Sequence, residues 1–148
     1  LPCDRGQKGR GMTRIVHISD THFGTEVAVV RDALAHDIDM HKPDVVVLSG
    51  DITQRARASQ FAAAKRFCDA LGVPVLTVPG NHDLPLYNAA ARFLRPYVNY
   101  KRYFGAREWV ATHGGITFAG FDATHPLRHT RGRLCAAHAD QVLARIRD

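Results

Sequence analysis

Three short apolar runs, each followed by a polar loop, organise the first half of this chain. The runs occupy residues 14–19, 44–49 and 75–78 and are rich in Val, Ile and Leu. The second run is apolar at nearly every inner position, as expected of a strand that is buried on both faces. The two stretches between the runs repeat their apolar residues every three or four positions, which is the helical period. The order β-α-β-α-β predicts an α/β fold with a parallel sheet and right-handed crossovers.

The two predicted helices each carry one apolar stripe. The first begins at Thr25, which we expect to be its cap, and ends before Pro43. Its stripe consists of Val27, Val30, Leu34 and Ile38. The second covers residues 59–71 and stops at Gly72, a residue that commonly ends helices. Its stripe consists of Phe61, Ala64, Cys68 and Leu71.

The second half of the chain predicts shorter elements. Residues 87–94 indicate a short helix before Pro96. Residues 108–112 and 116–121 predict a hairpin whose turn, His113-Gly114-Gly115, is assisted by glycine. Residues 136–147 predict a final helix with three apolar residues on one face, namely Val142, Leu143 and Ile146.

Length and hydropathy indicate a single domain outside the membrane. The chain has 148 residues, which is typical of one domain. No apolar stretch approaches the roughly 18 residues of a spanning helix. We expect residues 1–11, which are basic and glycine-rich, to be a disordered leader or tag, with Met12 as a natural start. Residues 12–148 then form the folded domain.

Charge and cysteine content narrow the setting further. The formal net charge is +6, but the basic residues are scattered along the chain. Such a distribution favours anionic substrates in general and leaves nucleic acid open as a partner. The three cysteines are widely spaced, and none forms a Cys-x-x-Cys pair. An odd number without such a pair indicates a reducing, cytoplasmic setting instead of a disulfide framework or zinc ribbon.

The polar residues with metal-binding chemistry gather directly after the three predicted strands. Asp20 and His22 follow the first strand, Asp51 follows the second, and Asn81 and His82 follow the third. Because parallel strands bring their carboxyl ends to one edge of a sheet, these residues can meet in space. Asp-x-His suits one metal ion, and a central carboxylate such as Asp51 can bridge two ions. Mixed oxygen and imidazole ligands suit Mn, Fe or Zn.

Each of these residues alone has an ordinary explanation. Asp20 can cap a turn, His22 can be a loop histidine, and Gly50-Asp51 can form a tight turn. Their shared place after successive β-runs favours a common site. A Rossmann nucleotide-binding loop does not fit, because SDTHFG lacks Gly-x-Gly-x-x-Gly and presents a carboxylate where phosphate needs amide donors.

The three loop motifs resemble those of the calcineurin-like metallophosphoesterases. Asp20-Thr21-His22, Gly50-Asp51 and Gly80-Asn81-His82-Asp83 match the motifs D-x-H, G-D and G-N-H-[DE] of that family. The surrounding segments HISDTHFG, VVVLSGDIT and VPGNHD are most similar to the bacterial class III cyclic-nucleotide phosphodiesterases. The resemblance covers residues 14 to about 147. It implies the start of a four-layer α/β/β/α sandwich.

The resemblance also implies a role for each matched residue. Asp20 and His22 hold a first metal ion, Asp51 bridges both ions, and Asn81 binds the second. His82 protonates or steadies the leaving oxygen, because imidazole exchanges protons near neutral pH. The two ions, Fe, Mn or Zn, clamp the phosphate and activate a bridging hydroxide. Asp83 either orients His82 or serves as a turn or capping residue.

The family pattern requires a later histidine and a G-H-x-H motif that this sequence does not contain. Four histidines follow the third motif without such a context: His113, His125, His129 and His138. We expect these to be ordinary surface residues, with His125 a conceivable substrate contact. The domain is accordingly expected to be incomplete at its carboxyl end. Its second metal site keeps Asp51 and Asn81, which predicts weak metal binding there and low activity of this chain alone.

Three hypotheses for function remain at this point. The first is a metal-dependent phosphodiesterase acting on a small phosphorylated substrate, with cyclic nucleotides such as 3',5'-cAMP foremost. The second is a nuclease or phospholipid-type diesterase built on the same scaffold. The third is a catalytically inactive fragment that acts as a binding module.

Overall fold

The computed structural model describes residues 12–86, 89–127, 132 and 136–147. The predicted leader, residues 1–11, lies outside this part of the chain. The described elements follow in this order: β1 (Ile15–Ser19), α1 (Ala28–His41), β2 (Val45–Ser49), α2 (Ala58–Ala70), β3 (Val75–Val78), a 3-10 turn (Asn81–Asp83), α3 (Ala89–Leu94), α4 (Val98–Phe104), β4 (Trp109–His113), β5 (Ile116–Gly120) and α5 (Ala136–Arg147). The predicted β-α-β-α-β start and the hairpin after it are both confirmed.

Strands β1, β2 and β3 form a parallel sheet in that spatial order. Their register is aligned, because Ser19 pairs with Ser49 and Ser49 pairs with Val78, the last residues of the three strands. The loops that follow the strands therefore leave the sheet at the same edge. We call these segments loop 1 (residues 20–27), loop 2 (residues 50–57) and loop 3 (residues 79–86).

The hydrophobic core lies where helix α2 packs against one face of this sheet. Val46 and Leu48 of β2 are fully buried there, together with Phe61 and Ala64 of α2. The predicted stripe of α2 is confirmed at these positions and at Cys68, and Leu71 packs at the margin of the cluster. Burial raises the pKa of the Cys68 thiol to about 12, so this side chain is an inert part of the core.

Helix α4 is an element that the sequence patterns did not predict. Its Tyr100 is fully buried and packs edge-to-face on Phe61 of α2, with the ring centroids 6.3 Å apart. The Tyr100 hydroxyl donates to the Thr77 carbonyl at 2.9 Å and lies 2.9 Å from the Thr77 hydroxyl. This arrangement satisfies polar groups at the outer edge of β3 within the core.

The first turn of α1 departs from its predicted packing. Val27 and Val30 are 60% and 64% exposed, whereas Ile38 is buried. Val27 takes the capping position without a side-chain bond, and the Thr25 hydroxyl donates to the His22 carbonyl instead. The turn borders a cavity of about 230 Å³ that Asp20 also lines. The stripe prediction was therefore wrong for the first turn and correct toward the helix end.

Strands β4 and β5 form the predicted antiparallel hairpin, with His113 as the last residue of β4 instead of part of the turn. The indole N–H of Trp109 donates to the Thr77 carbonyl at 2.7 Å, which ties the hairpin to β3. Of the short helix predicted at residues 87–94, the structure describes Ala89–Leu94. In the described part of the chain, no helix combines the length and apolar character needed to cross a membrane.

Candidate metal centre

Backbone pairing beyond the strand ends brings loops 1 and 2 together. The amide of His22 donates to the Asp51 carbonyl at 3.0 Å, and the amide of Phe23 donates to the Ile52 carbonyl at 2.8 Å. As a result, Asp20, His22 and Asp51 place one potential ligand atom each within 4.8 Å of one another. Two carboxylates and an imidazole at this spacing can hold a divalent transition metal ion.

The three clustered residues share an unusual backbone conformation. Asp20, His22 and Asp51 have φ values of 55°, 44° and 38°, in the left-handed region that favours glycine. Such conformations cost free energy and persist where the surrounding structure enforces them, most often at functional sites. Here the enforcement comes from the cross-loop hydrogen bonds, since the His22 amide and the Asp51 carbonyl are partners in one of them.

The electrostatics of His22 fit a metal ligand. Its Nδ1 atom is buried, and it is without a hydrogen-bond partner among the described residues. A buried polar atom left unpaired is destabilising, so such atoms in a folded protein call for an explanation. Coordination of a cation near the two carboxylates supplies one, because a divalent ion replaces the missing partner.

Loop 3 approaches this cluster from the side of Asp51. Gly80 lies so close that a Cβ atom at this position would overlap the amide nitrogen and carboxylate of Asp51. The amide of His82 donates to Asp51 Oδ1 at 2.9 Å, and the His82 ring packs edge-on against His22 with centroids 4.9 Å apart. Asn81 opens the 3-10 turn between Gly80 and His82. All five residues singled out from the sequence thus lie in adjoining loops.

The orientation of His82 depends on a main-chain group. Its Nδ1 atom lies 3.1 Å from the Gln54 carbonyl oxygen. A carbonyl oxygen only accepts hydrogen bonds, so Nδ1 carries the hydrogen in this contact. Nε2 is then the ring nitrogen outside this contact. This contact could not be predicted from the sequence, because it uses the backbone of Gln54 and not its side chain.

Asp83 is the most buried acidic residue near the site, at 1% exposure. Its carboxylate accepts hydrogen bonds from the amides of Ile52, Thr53 and Gly80 and from the Thr53 hydroxyl. Burial raises the pKa of Asp83 to about 6, and these four hydrogen bonds oppose that rise. Of the two roles left open by the sequence, the structure therefore supports the structural one, and His82 is oriented by Gln54.

Of the four later histidines, the two whose side chains the structure describes, His113 and His125, are not part of this cluster. His113 closes strand β4 beside Phe118, with ring centroids 6.4 Å apart. His125 accepts a hydrogen bond from the Leu127 amide through Nδ1. His129 lies outside the described residues, and the side chain of His138 is likewise not described.

Comparison with known proteins identifies a family and several relatives. The profile of the family described as "Calcineurin-like phosphoesterase" matches residues 13–141. "Glycerophosphodiester phosphodiesterase GpdQ" of Enterobacter lignolyticus is 36% identical in an alignment of 80 positions that covers 47% of this chain and 29% of that protein. "Probable glycerophosphodiester phosphodiesterase GpdQ" of Arcobacter nitrofigilis is 30% identical in an alignment of 119 positions that covers 70% of this chain and 37% of that protein.

A third relative carries a different name. "Probable cyclic nucleotide phosphodiesterase" of Fibrobacter succinogenes is 32% identical in an alignment of 83 positions that covers 47% of this chain and 30% of that protein. The chain spans about a third of the length of the curated relatives that it matches.

Proposed function

The chain belongs to the calcineurin-like phosphoesterase family, and from this premise we propose that it hydrolyses phosphodiester bonds at a centre of two divalent metal ions. The observation that supports the proposal most strongly is the grouping of Asp20, His22 and Asp51, together with a buried Nδ1 of His22 that has no hydrogen-bond partner among the described residues. The profile match supplies the reaction class, since members of the family are metal-dependent phosphoesterases.

We assign the ligands by their place in the three loops. Asp20 and His22 would hold the first ion, Asp51 would be shared between the two ions, and Asn81 would serve the second. The second ion would have fewer ligands in residues 12–86 and would be held more weakly. Iron, manganese and zinc suit this set of carboxylate, amide and imidazole groups. Such ions supply charge neutralisation of the phosphate and a hydroxide nucleophile at neutral pH.

His82 is the proposed proton donor to the leaving oxygen. Its Nδ1 is engaged by the Gln54 carbonyl, so Nε2 is the atom available to the substrate. An imidazole in this position can release a proton near neutral pH as the bond to the leaving group breaks. The contact of its amide with Asp51 Oδ1 keeps this group beside the shared carboxylate.

For the substrate we propose a small phosphodiester, with a cyclic nucleotide such as 3',5'-cAMP as the first candidate. The name of one relative favours this class, and the net charge of +6 suits an anionic substrate. A glycerophosphodiester is the second candidate, because two other relatives carry that name. Hydrolysis of nucleic acid is a further possibility on the same scaffold. We place the protein in the reducing cytoplasm, where the buried thiol of Cys68 stays free.

The test is a hydrolysis assay with Mn²⁺ on bis(p-nitrophenyl) phosphate, cAMP, a glycerophosphodiester and single-stranded DNA. We expect low activity on the model diester and preference for one small diester. Asp51→Gly is the matched variant, because glycine suits the positive φ while removing the carboxylate. Activity that is unchanged in Asp51→Gly would contradict the assignment. Metal binding without turnover of any substrate would favour the binding-module hypothesis.

A further inference from the structure

The buried carboxylate of Asp83 is the main polar link between loop 2 and loop 3. Its Oδ1 accepts from the Thr53 amide at 2.8 Å and from the Thr53 hydroxyl at 2.9 Å. Its Oδ2 accepts from the Ile52 amide at 3.0 Å and from the Gly80 amide at 2.9 Å. Three of the four donors belong to loop 2, whereas Asp83 itself and Gly80 belong to loop 3.

The neighbours of these partners in the chain are the residues of the proposed metal centre. Ile52 directly follows Asp51, and Asp83 directly follows His82. A second connection runs in the same place, from the His82 amide to Asp51 Oδ1. A displacement of either loop would therefore change the distance between Asp51 and His82, although Asp83 itself is only 1% exposed.

We propose that Asp83 is a positioning residue that sets the register of loop 2 against loop 3, and thereby holds Asp51 where it completes the metal centre. This inference rests on the proposed function, because the geometry that it preserves is that of the metal ligands. A carboxylate suits the task since both of its oxygens accept hydrogen bonds, and four donors converge on them. An amide side chain of the same shape offers one accepting oxygen and turns its NH₂ group toward two donors.

Asp83→Asn is accordingly the primary variant, and Co²⁺ titration followed by visible absorption is the measurement. Co²⁺ reports both affinity and ligand geometry, and its spectrum does not depend on turnover. We expect the affinity of Asp83→Asn for Co²⁺ to fall at least about 10-fold, within the range for loss of a residue that orients metal ligands. At saturating Co²⁺ we also expect an altered absorption spectrum.

A matched control separates positioning from general destabilisation. Tyr100→Phe removes a fully buried hydroxyl that bonds to Thr77 on the helix-covered face of the sheet. This variant is expected to lower the melting temperature but to keep the affinity and the spectrum of the wild-type chain. Equal losses of Co²⁺ affinity in Asp83→Asn and Tyr100→Phe would overturn the proposal, and so would wild-type binding by Asp83→Asn.

Two milder variants decide the matter if Asp83→Asn does not fold. Thr53→Val removes one of the four donors, and Thr53→Ser keeps it. We expect Thr53→Val to bind Co²⁺ several-fold more weakly and Thr53→Ser to match the wild-type chain. Identical binding by these two variants would contradict the role given to Asp83.

Hydrogen exchange of the metal-free protein distinguishes this inference from the proposed function. The amides of Ile52 and Thr53 should be protected in the wild-type chain and should lose protection in Asp83→Asn, while the amides of β2 stay protected. A wild-type chain that binds no Co²⁺ would refute the metal centre whatever the exchange result. Binding by the wild-type chain with unchanged protection in Asp83→Asn would refute the role of Asp83 alone.

Discussion

The loop edge and the helix-covered face of the same three-stranded sheet follow opposite rules. At the loop edge, Asp20, His22 and Asp51 have positive φ values, and the buried Nδ1 of His22 is unpartnered among the described residues. On the covered face, Thr77 and Tyr100 satisfy each other with two hydrogen bonds of 2.9 Å. One region carries strain and an unmet polar group, and the other shows neither in these residues.

This difference separates residues that stabilise the fold from residues that we propose to bind metal. A sequence specifies its fold by consistent local choices, and departures from consistency are expected at functional sites. Loops 1 and 2 lie next to the hydrophobic core, and burial in that core offsets the free energy that the strained residues cost. Substitutions at the loop edge should therefore change metal binding, whereas those on the covered face should change the free energy of unfolding.

The largest expected effect is that of Asp51→Gly. The substitution removes the carboxylate that we propose is shared by the two metal ions. Glycine adopts the φ value of 38° without strain. We expect Mn²⁺ affinity to fall by more than the roughly 10–100-fold typical of losing a residue that only supports a ligand. An EPR titration with Mn²⁺ measures the loss, and thermal unfolding of the metal-free variant should show no decrease in stability. Retained Mn²⁺ affinity would remove Asp51 from the centre.

Gly80→Ala should break the same site by steric displacement. The added Cβ overlaps the backbone and carboxylate of Asp51, so loop 2 or loop 3 must move. We expect a loss of Mn²⁺ affinity of about 10-fold, comparable to losing a supporting residue. Gly72→Ala is the control. Apart from its two chain neighbours, no described atom lies within 4 Å of the added Cβ, and the alanine is strained only by the φ of 68°. That control should lose about 1 kcal/mol of stability and no metal affinity.

Tyr100→Phe probes the other side of the comparison. Its hydroxyl is fully buried and bonds to both the hydroxyl and the carbonyl of Thr77. Removal should lower the free energy of unfolding by about 1–2 kcal/mol, since the Thr77 hydroxyl loses its partner. Urea denaturation measures the change. A parallel loss of Mn²⁺ affinity would show that the two regions are not separable.

The smallest expected effect concerns strain outside the site. Lys42 caps the carboxyl end of α1 with a φ of 45°, in the same left-handed region as the loop residues. Lys42→Gly should raise the free energy of unfolding by about 0.5–1 kcal/mol, because glycine adopts the left-handed conformation without strain. The exposed ion pair with Asp39 that the substitution removes contributes little. Thermal unfolding measures the gain, and metal affinity should stay unchanged. A loss of stability would mean that positive φ values carry little strain in this chain.

The fold was predictable from the sequence where apolar patterns reflect burial, on both faces of β2 and along one stripe of α2. The parallel strands and helix α2 follow from such patterns. The first turn of α1 was not predictable, because periodicity shows that Val27 and Val30 share a face but not how far the sheet extends beneath it. Helix α4 was missed for a related reason, since Tyr100, Tyr103 and Phe104 contact the core from a helix of seven residues, which is too short to show a repeating apolar period.

The candidate ligands of the site were predictable from the sequence, but the hydrogen bonds that hold the site's loops in place were not. Asp20, His22 and Asp51 follow from their places after aligned strands, and the structure brings them together. The support of His82 comes from the Gln54 carbonyl, a group that every residue type possesses. Two of the four donors to Asp83 are backbone amides of a loop about thirty residues away, which no local pattern reveals.

The most direct test of the metal centre is anomalous diffraction from crystals of the 148-residue chain grown with Mn²⁺. We predict a strong anomalous peak enclosed by the side chains of Asp20, His22 and Asp51, with His22 within coordination distance. A weaker second peak is expected on the Asp51 side, toward Asn81. A Mn²⁺ ion bound elsewhere, with these three side chains free of metal at saturating concentration, would refute the proposed metal centre.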